Sequence, residues 1–256
     1  MDILPLFKSH YSIGRSILTL EDETNERKTC YPNSIINIAK ENSLKEIFLV
    51  EDNMTSFLQA YTNCKKNNIN LRYGLKITIT DNIEDKSDES KNKNSKFIIF
   101  FKNDEGYKKI IKIFSIAAKS GFYYEPRIDY KTLKSLWDEK DLLLCVPFYD
   151  SFIFNNLIKN TLCTPQIDFC SPIFFLENNN IPFDNLIESR VVDYCSKNNN
   201  KTLNTKTIYY KNKNDFKAYL TFRCVNIRTT LNKPQLEHMT SNEFSFESYL
   251  EKLKNG

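Results

Sequence analysis

Histidine is almost missing from this chain. Its 256 residues hold two, His10 and His238, whereas a metal centre built on imidazole needs several neutral rings within one small volume. Glycine is also scarce, at five residues, too few to build a Gly-rich phosphate loop. The seven cysteines (30, 64, 145, 163, 170, 195 and 224) are odd in number and never spaced CxxC. That excludes a zinc ribbon or a thioredoxin-type motif and suits reduced, mostly buried thiols in a cytoplasmic protein. There is no run of 18 apolar residues and no signal-like start, so neither membrane insertion nor secretion is expected. The net charge of +4 is mild, and Lys alternates with Glu and Asp along most of the chain. Such a balance permits contact with nucleic acid without predicting it.

What is present is a core. Hydrophobic residues make up 41% and aromatics 13%, which excludes wholesale disorder. The organising stretch is Lys96–Asp129. Its first six residues, KFIIFF, are too short for a helix and too apolar for an exposed strand. Asn103 or Asp104 then caps a helix in which Ile110, Ile111, Phe114, Ala117 and Ala118 recur at helical spacing, and Gly121 ends it. A buried strand feeding an amphipathic helix is half of a βα unit and predicts a parallel sheet.

The same rhythm runs through the chain. Strands are predicted at 3–7, 46–50, 71–80, 96–101, 141–148, 172–177 and 202–210. Helices follow Pro32-Asn33-Ser34 and span 54–67, 130–137, 152–159, 183–197 and 215–226. In the 54–67 helix Phe57, Leu58, Tyr61 and Cys64 are assigned to the core. Residues 81–95 (DNIEDKSDESKNKNS) hold a single Ile and read as a solvated, mobile insertion. Tyr123, Tyr124 and Arg127 fit a packed loop better than a base-stacking surface, and Trp137 fits the core. About seven strand–helix alternations close most naturally into a barrel of parallel strands, which leaves no open edges.

Several motifs resemble one family. KNDEGY (102–107) and KSGFYYEPRID (119–129) are similar to the linked "KNEEGY" and "GFYYKPRID" signatures of the PHP (polymerase and histidinol phosphatase) domain of bacterial and phage DNA polymerase III alpha subunits. NMTSFLQAYTNCKKNNINLRYG (53–74) resembles the family's "NMYGAVEFYKACKEAGIKPIIG" without a gap. TKTIYYKNKNDFKAYLTFRCV (205–225) resembles "TNDVHYLNPEDAEAHDVLLCI". The resemblance covers roughly residues 3–231 and implies a distorted (β/α)7 barrel. It also implies that 232–256 leads towards a polymerase body, with its catalytic aspartates, that this chain lacks.

Active members of the family hold two or three metal ions at the C-terminal mouth of the barrel, where the metals polarise a phosphoryl oxygen and activate water. Carried over motif by motif, the ligand positions fall on other residue types here. The HxH pair falls on Leu6 and Lys8, with His10 two residues later, and a following aspartate falls on Arg15. The Asp-His of "TDHGNM" falls on Val50 and Glu51, or on Glu51 and Asp52 with a one-residue gap. The glutamate of "GCE" falls on Lys76, a strand-opening histidine on Lys96, and the last Asp and His on Thr207 and Tyr209. Cys145 is the nearest candidate for the cysteine ligand. A lysine ammonium about 4 Å from a dication repels it by ~8 kcal/mol at an effective dielectric near 20. No metal cofactor is therefore expected. The lysines are expected to pair internally with Glu51 and Asp52.

The resemblance thus implies a catalytically inactive barrel that braces a replicative polymerase, with DNA as an indirect partner and a proofreading exonuclease as a candidate one. Two other readings are open. One is a zinc- or manganese-dependent phosphoesterase or 3′–5′ exonuclease with a rearranged site. The other is a nucleic-acid-binding module acting through its lysines.

Overall fold

A computed structural model describes residues 3–22, 33–232 and 241–255. His238 and Cys30 lie outside them. The chain alternates β1 (Leu4–Phe7), α1 (Ile35–Glu41), β2 (Glu46–Glu51), α2 (Phe57–Lys66) and β3 (Asn70–Thr80). It continues through α3 (Asp88–Lys91), β4 (Ser95–Phe101), α4 (Asp104–Lys119), β5 (Arg127–Asp129) and α5 (Tyr130–Leu136). The remainder is β6 (Leu142–Val146), α6 (Phe152–Ile158), β7 (Ile173–Leu176), α7 (Asp184–Asn198), β8 (Lys201–Ile208), α8 (Phe216–Asn226) and α9 (Phe246–Asn255).

Seven strands close in the order β1-β2-β3-β4-β6-β7-β8 and back to β1, while β5 adds to the end of β3. The α/β barrel expected from the strand–helix count is present. One strand departs from the parallel expectation: β4 runs antiparallel to both neighbours, with Lys76 opposite Ile98 and Thr78 opposite Lys96. The reason lies in the 81–94 connection, which returns along the neighbouring edge without a crossover helix over the barrel face. Reversal puts the start of β4, and so Lys96, at the end of the barrel where the parallel strands finish.

The interior and exterior of the barrel are separate cores. Inside, Leu6, Val50, Ile98, Phe100, Cys145 and Phe175 pack together. Gly74 leaves room there: a Cβ would stand 2.8 Å from the Phe100 ring. Outside, larger clusters join the strands to the helices. Alternate residues along each strand serve the two cores, which is why these strands read as continuous apolar runs.

α4 is capped by Asn103, whose side chain accepts from Gly106 N at 2.9 Å, with Asp104 and Glu105 in its first turn. Its buried stripe is Ile110, Ile113 and Ala117, while Ile111 is 39% exposed. In α2 the inward face is Ala60 and Cys64, with Phe57 wedged among Tyr73, Phe101 and Tyr107. Leu58 lies about 100° round from Phe57 and is exposed, as is Tyr61, contrary to their assignment to the core. Gly121 ends α4 by close approach: a Cβ would meet the Arg127 carbonyl oxygen at 1.8 Å.

Arg127 is fully buried and organises the polar 81–95 run. It donates to the carbonyls of Gly121, Ile83 and Asp85 and to Ser90 Oγ at 3.1–3.4 Å. Ile83 and Ser90 are buried in consequence, so this run offers the fold more to bury than its composition suggests. Tyr123 packs on the Arg127 guanidinium at 5.0 Å, but Tyr124 is 75% exposed. α9 docks against the barrel through Phe246, Tyr249 and Leu250, with the Phe246 ring 5.9 Å from that of Phe7.

Candidate functional site

The C-terminal mouth of the barrel holds a cavity of about 150 Å³ lined by charged residues. A larger hollow of about 470 Å³ lies outside the barrel near Pro165 and Tyr194, and Asp168 is the only charged residue in its lining. The mouth is the candidate site because side chains from six segments converge on it. The ends of β1, β2 and β3 bring Lys8, Asp52 and Lys76; reversed β4 brings Lys96; the loops before β5 and after β6 bring Glu125 and Asp150.

Three ammonium–carboxylate pairs ring the opening. Lys8 Nζ lies 2.6 Å from Asp52 Oδ1 and donates to Ser12 Oγ at 3.4 Å. Lys76 Nζ lies 3.0 Å from Asp150 Oδ2. Lys96 Nζ lies 2.6 Å from Glu125 Oε2 and donates to Thr78 Oγ1, whose hydroxyl donates to Glu125 Oε1. Arg15 stands exposed at the rim, facing Asp150 and Asp52. Tyr209 closes another side, stacked on Tyr219 and Phe244.

Beneath the ring, Glu51 is fully buried; it accepts from Ser9 N at 2.8 Å and from the Ser12 hydroxyl. Burial pushes the Glu51 carboxyl up and the Lys8 ammonium down, each against the attraction of opposite charge. Burial would also raise Asp52, but Lys8, Lys76 and Arg15 outweigh it and hold the carboxyl at about 2. Asp150 is driven well below the carboxylate range as Lys76, Arg15, Lys159 and Lys96 together overcome its burial. Burial raises the Tyr209 phenol, which therefore stays neutral.

Of the ten positions singled out in the sequence, Lys8, Arg15, Asp52, Lys76, Lys96 and Tyr209 line this cavity. Leu6 and Val50 sit lower, in the barrel interior. Thr207 lies beside the mouth, where its hydroxyl donates to Glu177 Oε1 at 2.6 Å. Glu51 is held below. The expected pairing of Lys76 and Lys96 with Glu51 and Asp52 is replaced by pairing with Asp150 and Glu125, which loop geometry brings closer. Asp150, Glu125 and Thr78 were missed; the only signal was an acid just past the end of a predicted strand or beside a matched motif. Cys145 is buried in the barrel, its thiol pushed up by burial. His10 stands aside, with Nδ1 3.3 Å from the Leu18 carbonyl.

As a ligand set for a cluster of divalent metals these residues do not fit. Three ammonium groups and a guanidinium surround the cavity, and each carboxylate on it is already held by or faces a cation. Among the described residues no three His, Cys, Asp or Glu side chains are grouped to hold a metal ion.

The PHP domain family model matches residues 27–152, from before α1 to the start of α6. The barrel and this match agree. The chain carries a PHP domain. Its relatives include the DNA polymerase III subunit alpha of Aquifex aeolicus, 29% identical over 163 residues that cover 61% of this chain and 13% of the relative. The Helicobacter pylori subunit is 28% identical over 236 residues, covering 84% of this chain and 19% of the relative. The Borreliella burgdorferi subunit is 24% identical over 226 residues, with the same coverage. The chain thus spans a fifth or less of these relatives' length. Among the described residues of this PHP domain no helix is long and apolar enough to cross a membrane.

Proposed function

We propose that this chain serves as the PHP barrel of a DNA polymerase III alpha-type replicative polymerase, as a structural module without hydrolytic activity. Its partner in this reading is the remainder of such a polymerase. One observation carries the proposal: Lys8, Lys76 and Lys96, at positions that the family resemblance assigns to metal ligands, are each paired with a carboxylate across the barrel mouth. A metal entering the mouth would break those pairs and meet their ammonium groups, each opposing it by several kcal/mol at this range. The paired side chains instead tie β1, β2, β3, β4 and two loops together. Removing the need for a bound metal leaves the barrel rigid without one.

The test is elemental analysis of the purified chain after incubation with zinc and manganese and exhaustive dialysis, beside an assay on phosphomonoesters and single-stranded DNA. Less than one tenth of an equivalent of metal and no turnover are expected. Stoichiometric metal accompanied by hydrolysis would overturn the proposal.

A further inference from the structure

The charges at the mouth do not cancel. On the cavity lining four cationic side chains, Lys8, Arg15, Lys76 and Lys96, face three carboxylates; Glu51 lies buried beneath against Lys8, and Lys159 is near enough to act on Asp150. Nor are the donors used up. Among the described residues the Arg15 guanidinium faces Asp150 and Asp52 without a direct hydrogen bond or ion pair, and the Tyr209 hydroxyl donates to no protein acceptor. Lys76, with three N–H groups, has one hydrogen-bond partner, Asp150. These three side chains share one cavity, open to solvent, at the end of a rigid barrel. Guanidinium and ammonium donors beside a neutral phenol are the groups that bind a tetrahedral oxyanion directly.

We propose that the mouth binds a phosphate-class oxyanion without any metal, through Arg15, Lys76 and Tyr209. The guanidinium takes two oxygens in a fork, Lys76 supplies a second positive charge from the cavity wall, and the Tyr209 hydroxyl donates to a third oxygen. Asp150 keeps its pair with Lys76 and fixes the direction of that ammonium. Binding needs no covalent step. The inference shares the metal-free reading of the mouth but adds a ligand to it, and its test reads a different quantity.

The chain is titrated with inorganic phosphate in EDTA at constant ionic strength, using chloride as the balancing anion. Binding is read by ³¹P line broadening and by the shift in thermal midpoint. A second arm uses a nucleoside monophosphate and a short single-stranded oligonucleotide with and without a 5′-phosphate, which separates free phosphate from a terminal phosphate on nucleic acid. Saturable binding in EDTA is expected, weakened at least about tenfold in Arg15→Gln, since a charge-assisted bidentate contact is lost. Tyr209→Phe keeps the stacked ring and should weaken binding by a smaller factor. No saturable binding at millimolar phosphate would overturn the inference, and so would equal binding by the parent and both variants. Metal found in the same samples would count against the proposed function alone, whereas phosphate binding lost in EDTA would sink both.

Discussion

Lys8→Met removes one charge from the mouth and keeps most of the side-chain length. In the parent the Lys8 side chain is 7% exposed and its partner Asp52 is 37% exposed, 2.6 Å apart. A lost exposed pair costs about 0–1 kcal/mol and a lost buried pair about 3–5 kcal/mol. With one partner buried and the other partly screened, about 2–3 kcal/mol is expected at pH 7. Glu51, fully buried below, loses the same cation and answers by holding its proton to higher pH, which limits the cost. For a domain of this size the loss corresponds to a fall of about 5–10 °C in Tm. Urea unfolding followed through the single tryptophan, Trp137, measures it directly, with an unchanged m-value marking a change in stability alone. The double variant Lys8→Met/Asp52→Leu should recover most of the loss, because apolar replacement of both partners of a buried pair is commonly neutral or better. A cost below about 0.5 kcal/mol for Lys8→Met would mean that the mouth is wet and the pair idle, and the structural role assigned to the ring would be refuted.

The acid limb of the stability curve tests the same site. The Asp52 carboxyl is held at about 2 against an ordinary 3.8, so its contribution is complete above about pH 4 and is lost as pH falls towards 2. Screening limits it to about 1 kcal/mol, and Asp52→Asn should flatten that part of the curve. Limited proteolysis should cut first within residues 81–95. Arg127→Met removes the guanidinium donors from three carbonyls, should cost about 3 kcal/mol, and should speed that cleavage; equal cleavage in both proteins would sink the assignment of Arg127 as the anchor. Gly121→Ala, which forces a Cβ to 1.8 Å from the Arg127 carbonyl oxygen, should destabilise by about 2 kcal/mol or more by displacing the backbone. Placing histidines at 6, 8, 96 and 209, glutamate at 76 and aspartates at 15 and 207 should rebuild a metal-binding mouth, read as metal stoichiometry after dialysis. A folded redesign that binds no more metal than the parent would show the positional carry-over to be wrong.

Much of the barrel was legible because continuous apolar runs mark strands buried on both faces, and all seven barrel strands were placed within about two residues. Helix faces were less legible. In α2 the stripe 57-60-64 competes with 57-58-61, and composition prefers Leu58 and Tyr61 where burial prefers Ala60. Small residues face inward wherever a helix sits close to a strand, and hydrophobicity alone does not register closeness. β5, three residues long, and the short α3 carry too little pattern to be found. The mouth was half legible. Ungapped motif frames place Lys8, Lys76 and Lys96, but Glu125 and Asp150 arrive on loops whose course depends on the closed barrel.

The sequence around Lys96 supports two readings that conflict. The local pattern made β4 an ordinary parallel strand, which would start at the end of the barrel opposite the mouth. The family resemblance made its first residue a ligand position at the mouth itself. Both cannot hold, since a strand of seven residues rises at about 3.3 Å per residue and separates the two ends by roughly 20 Å. The structure puts Lys96 at the mouth and drops the parallel strand: β4 is reversed, Lys96 lies opposite Thr78, and its ammonium reaches Glu125. The 81–95 run is what permits the reversal, because a connection anchored by Arg127 at the barrel edge can return the chain antiparallel where a crossover helix could not. The feature that reads as a solvated, mobile insertion is therefore the one that carries the third lysine to the mouth.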